Sequence, residues 1–167
     1  VKTADRLQHE LRNAGFEVTG NVGGHGFVGV FKNGVGPTVM IRTDLDALPV
    51  TEQTGLEYAS RVRTKDDQGN EVGVMHACGH DIHMTSFVGT ARLLSQLKDR
   101  WHGTLVMLGQ PAEERGGGAK AMIAAGLFEK FPKPDAVLAL HDDATLEAGK
   151  VGIVDGKTHE VKYMSPW

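Results

Sequence analysis

The feature that most restricts the fold of this chain is a recurring unit. A short apolar run ends in an acid or a histidine, and a segment with helical periodicity follows before the next run. "GPTVMIRTDLD" has its apolar run at Val39 to Ile41 and ends in Asp44 and Asp46; "GTLVMLGQP" is closed by Pro111 and leads to Glu113 and Glu114; "DAVLALHD" ends in His141 and Asp142. Short continuous apolar runs bounded by turn residues read as buried strands. "GKVGIVDG" reads as one more, "FEVTG" as a short strand, and "GFVGVFKNG" as a strand alternating around Val28, Val30 and Lys32. Leu7, Leu11 and Ala14 stand at helical spacing between a Thr3 cap and a Gly15 stop. Phe87, Val88, Ala91, Leu94 and Leu97 mark a one-sided helix over 83–97, and "GGAKAMIAAG" a helix stopped by Gly126. Residues 61–73 are polar and read as a surface loop turning at Gly69. Strands apolar throughout and alternating with helices predict an α/β fold, three layers α/β/α around a mostly parallel mixed sheet.

A chain of 167 residues fits one domain with a real core. Its net charge of -3 gives no electrostatic reason for nucleic acid or an anionic membrane as partner. No apolar run approaches the roughly 18 to 20 residues needed to span a bilayer. The N-terminus "VKTADRLQHE" lacks the order of a signal peptide. A single cysteine allows no internal disulfide, so Cys78 is a free thiol, a metal ligand or a reactive group, and a reducing, cytoplasmic setting is expected.

In open α/β sheets, ligands bind past the carboxyl ends of the strands, which is where this chain repeatedly places its chemistry. "MHACGHDIHM", residues 75–84, adds three histidines, the one cysteine and an aspartate within ten positions. Cys78 and His80 flank Gly79, whose freedom lets both side chains turn toward one point. The pair alone is more often structural. "QPAEE" sets two adjacent carboxylates after a buried strand; one could ligate a metal while the other works as general acid/base. Alone, these are two solvated acids, and His141 alone is a polar turn residue. Together, four strand ends bring Asp, Cys/His, Glu/Glu and His to one edge, a pattern suited to a two-metal hydrolytic centre.

"RTDLDALPV", "MHACGHDIHM", "GQPAEERGGGAKAMI", "AGLF" and "VLALH", in this order, resemble the metal-dependent N-acyl-amino-acid amidohydrolases. These comprise the hippurate-hydrolase and auxin-conjugate-hydrolase group of the larger aminoacylase and zinc-carboxypeptidase family. The resemblance runs from about residue 5 to residue 156 and implies a zinc-exopeptidase-like catalytic domain. It further implies that Cys78, His80, Glu114 and His141 are metal ligands, with the Cys78 thiolate a bridge between two divalent ions (zinc, manganese, cobalt or nickel). Glu113 would be the general base, passing a proton from an activated water to the leaving nitrogen. Asp46 would support a ligand from behind, as carboxylates next to metal-bound imidazoles do, and Asp44 less directly. His76, Asp81 and His83 receive no ligand role; they stand as residues behind the ligands or at a helix start, where Asp81 would favour the N-terminal dipole. The implied reaction is hydrolysis of the amide of an N-acyl amino acid or peptide-like small molecule.

Full members of that family are about twice as long. They carry an inserted lid and dimerisation domain, then a C-terminal part of the catalytic domain with one more histidine ligand and a loop for the substrate carboxylate. The resemblance therefore implies that residues 1–167 form a single incomplete, truncated catalytic domain of a protein that is a homodimer at full length. His159 is the one residue near the end of the chain that could replace the absent histidine. Two other readings stay open: a metal-binding fragment or module with impaired catalysis, and thiol chemistry at Cys78 with His76 or His80 as its imidazole.

Overall fold

The computed structural model describes residues 1–152 and the backbone of 165–166. Its main sheet has five strands in the order β1-β2-β6-β3-β7: Glu17–Val22, Gly26–Asn33, Gly103–Gln110, Thr38–Asp44 and Ala136–Ala139. β1 and β2 form a hairpin, and β2 pairs antiparallel with β6. β3 lies parallel to both β6 and β7, so the sheet is mixed as expected, antiparallel across β1–β2–β6 and parallel across β6–β3–β7. Parallel pairing needs long crossovers, and helices supply them.

Side chains alternate across the strands, and each face carries its own helices. On β6, Leu105 and Met107 join the cluster built with helices α1 (Lys2–Asn13) and α2 (His80–Gln96), through Leu7, Leu11, Phe87 and Ala91. Val106 and Leu108 point the other way, to a smaller cluster with α3 (Gly118–Ala124) and α4 (Leu127–Lys130), through Met122 and Leu127. The period of two along one strand and of 3.6 along the helices thus assembles the three expected layers.

Several boundaries differ from the sequence reading. α1 begins at Lys2 with Val1 as its cap, and Thr3 lies inside the helix, because the apolar stripe already includes Ala4. α2 begins at His80, three residues before the start read from periodicity. The polar stretch 61–73 is an antiparallel ribbon, β4 (Arg63–Lys65) with β5 (Glu71–Gly73), turned at Gly69. Its turn is fastened by Asp66, whose carboxylate accepts the amides of Gln68 and Asn70. Of the expected strand "GKVGIVDG", β8 (Val151–Gly152) pairs with β9 (Ser165–Pro166), and Gly149 and Lys150 precede it outside any strand; residues 153–156, and His159, lie outside the described residues. No helix among the described residues is long and apolar enough to cross a membrane.

Candidate metal centre

Because β3, β6 and β7 are parallel, their carboxyl ends share one edge of the sheet. β3 ends at Asp44, directly opposite Gln110 at the end of β6, and the Leu45 amide donates to the Gln110 carbonyl at 2.9 Å. Asp46 follows from β3, Glu113 and Glu114 follow from β6, and His141 follows from β7 by two residues. The fourth contribution comes from the start of α2. Gly79 caps that helix in the left-handed region (φ 66°), which turns the chain so that Cys78 and His80 both face the strand ends. A bridge between Leu48 and Met75 holds the approach to this turn against the segment after β3.

The ligand-bearing atoms converge. Cys78, His80 and His141 each offer one such atom within 4.8 Å of the others, and so do Asp44, His80 and Glu113. Cys78 Sγ lies 3.3 Å from His141 Nε2. His80 Nε2 lies 3.9 Å from a carboxylate oxygen of Glu113 and 3.9 Å from one of Glu114. His80 is 1 % exposed, and its Nδ1 donates to the Asp46 carbonyl at 2.9 Å. The imidazole proton is thereby committed to Nδ1, and Nε2 presents a lone pair. That atom is buried without a hydrogen-bond partner among the described residues. An unsatisfied buried nitrogen costs about 1–3 kcal/mol, a cost that a cation at this point would remove. A lone pair facing a thiol, two glutamates and a second imidazole fits a divalent metal, with the mixed donors that zinc, manganese, cobalt or nickel accept. Here the cluster in "MHACGHDIHM" supplies two donors and the turn that aims them, while the other strand ends supply the rest.

Asp46 joins the parts of the site in a way its residue type did not disclose. Its main-chain carbonyl accepts from His80 and also from His76 Nδ1, at 3.1 Å. Its carboxylate stands 4.0 Å from His80 Nδ1 and instead accepts the Glu114 amide at 3.0 Å. Asp46 therefore orients His80 through the backbone and fastens the Glu113–Glu114 loop through the side chain. Ala112, at φ 49°, starts that loop with a backbone conformation rarely adopted outside glycine.

Asp44 is buried beneath this arrangement. Desolvation raises its pKa to about 6 against the pull of Arg42 and His80, with Glu113 and Asp46 adding repulsion. Arg42 donates to the Asp44 carboxylate at 2.5 Å and to the Gln110 side chain at 2.8 Å, tying the ends of β3 and β6 together. Cys78 is pushed up to about 11, first by burial and then by Glu114, Glu113 and Asp142. A nucleophilic cysteine needs surroundings that favour its thiolate, and these oppose it; a bound cation would reverse that balance. The thiol-chemistry reading loses its footing here.

Two residues that the sequence reading notes only in passing, one in the "MHACGHDIHM" cluster and one at a strand end, take a definite place here. His83, 4 % exposed, has its Nε2 3.0 Å from an Asp142 carboxylate oxygen, and burial is the main reason its pKa is lowered. The "HD" pair closing the strand "VLALHD" marks Asp142 beside His141; nothing in the spacing links it to His83. Asp81, by contrast, is exposed on the first turn of α2, where its charge suits the helix dipole. Beside the site lies an open cleft of about 1000 Å³, between the β4–β5 ribbon and the segments after β3 and β6. Asp46 and Glu114 stand on its wall with Leu48, Val62 and Val74, whereas Cys78, His80 and His141 do not line it.

With this geometry in hand, the similarities to known proteins are specific. Residues 40–166 match Peptidase family M20/M25/M40. The chain is 43 % identical over 141 residues to the hippurate hydrolase of Campylobacter jejuni, covering 84 % of this chain and 34 % of that protein. It is 37 % identical over 156 residues to IAA-amino acid hydrolase ILR1-like 4 of Arabidopsis thaliana, covering 93 % of this chain and 33 % of that protein. In structure it is similar to the YXEP protein of Bacillus subtilis, described as a dinuclear metal binding peptidase. That match has a TM-score of 0.78 and 34 % identity, and covers 93 % of this chain and 41 % of the other. The chain thus spans about a third of the length of the curated relatives it matches.

Proposed function

This chain belongs to Peptidase family M20/M25/M40, and from that premise we propose that its protein hydrolyses the amide bond of N-acyl amino acids or peptide-like small molecules. Cys78, His80, Glu114 and His141 hold a pair of divalent ions in this reading, and Glu113 is the general base. When bound, such ions supply a Lewis acid that polarises the amide carbonyl and acidifies water. Glu113, its carboxylate 3.9 Å from His80 Nε2, accepts the proton of the attacking water and passes it to the leaving nitrogen. Asp46 keeps Glu113 and Glu114 in place by accepting the Glu114 amide, and keeps His80 in the tautomer that leaves Nε2 free. The substrate is small, in keeping with relatives named for hippurate and for IAA-amino acid conjugates. A reducing, cytoplasmic compartment suits a thiol ligand.

The observation that carries the reading is the convergence of carboxylates, thiol and imidazole on the Nε2 of a buried histidine that has no hydrogen-bond partner among the described residues. Coverage of about a third of the relatives supports a further reading. Residues 1–167 are then one incomplete catalytic domain, and a lid and dimerisation domain and a further histidine ligand come from the rest of a homodimeric protein. The same coverage favours a second reading for the chain by itself, a fragment that binds metal with impaired turnover. Metal stoichiometry tests both: the protein is stripped with chelator, reloaded with zinc or manganese, desalted and analysed for metal. Two ions per chain, lost on Cys78→Ala or Glu114→Ala, are expected. Retention of no ion by the full-length protein would overturn the two-metal reading.

A further inference from the structure

Of the donors at the site, His141 has the least sheet behind it. It extends from β7, whose Val137 and Leu138 are 56 % and 48 % exposed and whose one neighbour in the described sheet is β3. Yet its ring is held tightly. Asp142 carries two separate attachments on the same residue. Its carbonyl accepts from His141 Nδ1 at 2.6 Å, which commits the proton to Nδ1 and turns the Nε2 lone pair toward Cys78 Sγ. Its carboxylate reaches back to His83 on α2, 3.0 Å from Nε2. The Asp142 amide also lies 3.1 Å from that same nitrogen. One ring nitrogen cannot donate to the carboxylate and accept from the amide at once, but both contacts press residue 142 onto the His83 ring. That ring is buried, and its centroid lies 4.6 Å from that of His141.

The third member of the arrangement is Gly79. A Cβ placed there would stand 2.5 Å from the Asp142 carboxylate and 3.3 Å from His83 Nε2. The turn carrying Cys78 and His80 therefore packs its one residue without a side chain against the His83–Asp142 pair. Two pieces of chain that share no sheet hydrogen bonds, the start of α2 and the end of β7, meet through these contacts.

We infer that His83 and Asp142 are positioning residues that lock the His141 strand end onto the Cys78–Gly79–His80 turn and set the tautomer in which His141 Nε2 is a ligand. The inference rests on the two-metal reading above for its consequence, but not for its geometry. Residues that hold a ligand imidazole from behind typically change metal affinity by about 10- to 100-fold when replaced.

The test uses the full chain and the variants Asp142→Ala, His83→Leu and His83→Gln, the last keeping an amide N–H near the position of Nε2. Zinc affinity is measured by competition with a chromophoric chelator, coordination by the visible absorption of the cobalt-loaded protein, and the His141 tautomer by histidine 15N shifts without metal. Asp142→Ala and His83→Leu should each weaken one of two zinc ions about 10- to 100-fold, alter the cobalt bands and reduce the Nδ1–H population of His141. His83→Gln should recover part of each. Wild-type zinc affinity and cobalt bands in both disruptive variants would overturn the inference. Should His83→Leu fail to fold, Asp142→Ala, at a half-exposed side chain, decides alone. Should the wild-type protein bind no metal, the two-metal reading falls. The tautomer shifts then decide the inference by themselves: a loss of Nδ1–H in Asp142→Ala, which frees residue 142 from His83, upholds it and no change overturns it.

Discussion

β6 and β7 both deliver chemistry to the same edge, and they are built in opposite ways. β6 is paired on both sides and nearly buried from end to end, with Val106 and Met107 fully enclosed by the two helical layers. β7 is four residues long, and three of the four are exposed. The carboxylates after β6 inherit their position from sheet and core, whereas the imidazole after β7 is fixed by polar contacts with α2. Packing locates one half of the site and hydrogen bonds locate the other. The two halves should therefore fail to different insults.

The largest expected effect separates chemistry from assembly on the β6 side. Glu113→Gln in the full-length protein should lower kcat by about a hundred- to ten-thousand-fold with its metal content unchanged, since the base is lost but no ligand is. Loss of metal together with activity would show Glu113 to be a ligand instead. Next come paired truncations: Met107→Ala should cost about 2–5 kcal/mol in denaturant unfolding, whereas Val137→Ala on β7 should stay within about 0.5 kcal/mol. Equal costs would erase the distinction between the strands. Gly79→Ala sharpens the β7 side. Its positive φ and its approach to Asp142 should together cost about 1–3 kcal/mol and separate the Cys78 and His141 resonances from their mutual contact.

A smaller effect concerns pH and the buried end of β3. Asp44 holds its proton up to about pH 6 in the folded chain, above the ordinary carboxylate value of 3.8, so over that interval the folded state binds more protons than the unfolded one. Stability conferred by the protonated group is fully present below pH 3.8 and lost as pH rises through 6. Asp44→Asn should flatten that decline in metal-free protein, as read from unfolding midpoints across the interval; an unchanged slope would assign it to other groups. The smallest effect is expected at the ion pair between Arg115 and Asp67, which joins the glutamate loop to the β4–β5 ribbon with side chains 71 % and 79 % exposed. Arg115→Ala should change stability by less than about 0.5 kcal/mol.

The layers and the sheet edge were legible because they follow from periodicity and from where apolar runs stop. Leu105 to Leu108 announce a strand buried on both faces, and Asp46, Glu113 and Glu114 follow such runs; the apolar run before His141 reads the same way, but β7 is a strand exposed at three of its four residues, because no helix among the described residues covers it. The start of α2 was not legible: its cap is Gly79 rather than Ser, Thr, Asp or Asn, and its apolar stripe begins only after His83. The β4–β5 ribbon was hidden because Arg63, Thr64 and Lys65 are exposed on both sides, so no apolar alternation marks them. Asp46 was found but its action was not, since a main-chain carbonyl accepts whatever the side chain is. The pairing of His83 with Asp142 was hidden for a related reason. Their contact spans 59 residues, and no local pattern records a pairing at that distance.

That separation is general at the site. Cys78 and His141 are 63 residues apart, Asp46 and Glu114 are 68, and Asp46 and His80 are 34. Each contact closes a long loop of chain, and closing loops of this length costs entropy before anything is gained. The β1–β2 hairpin, by contrast, closes on itself within a few residues. In time, then, the hairpin has what it needs early, and the site exists only after β3, β6 and β7 have found one another. A peptide spanning 75–84 holds the densest run of ligand-type residues in the chain and almost none of the closures that make them a site.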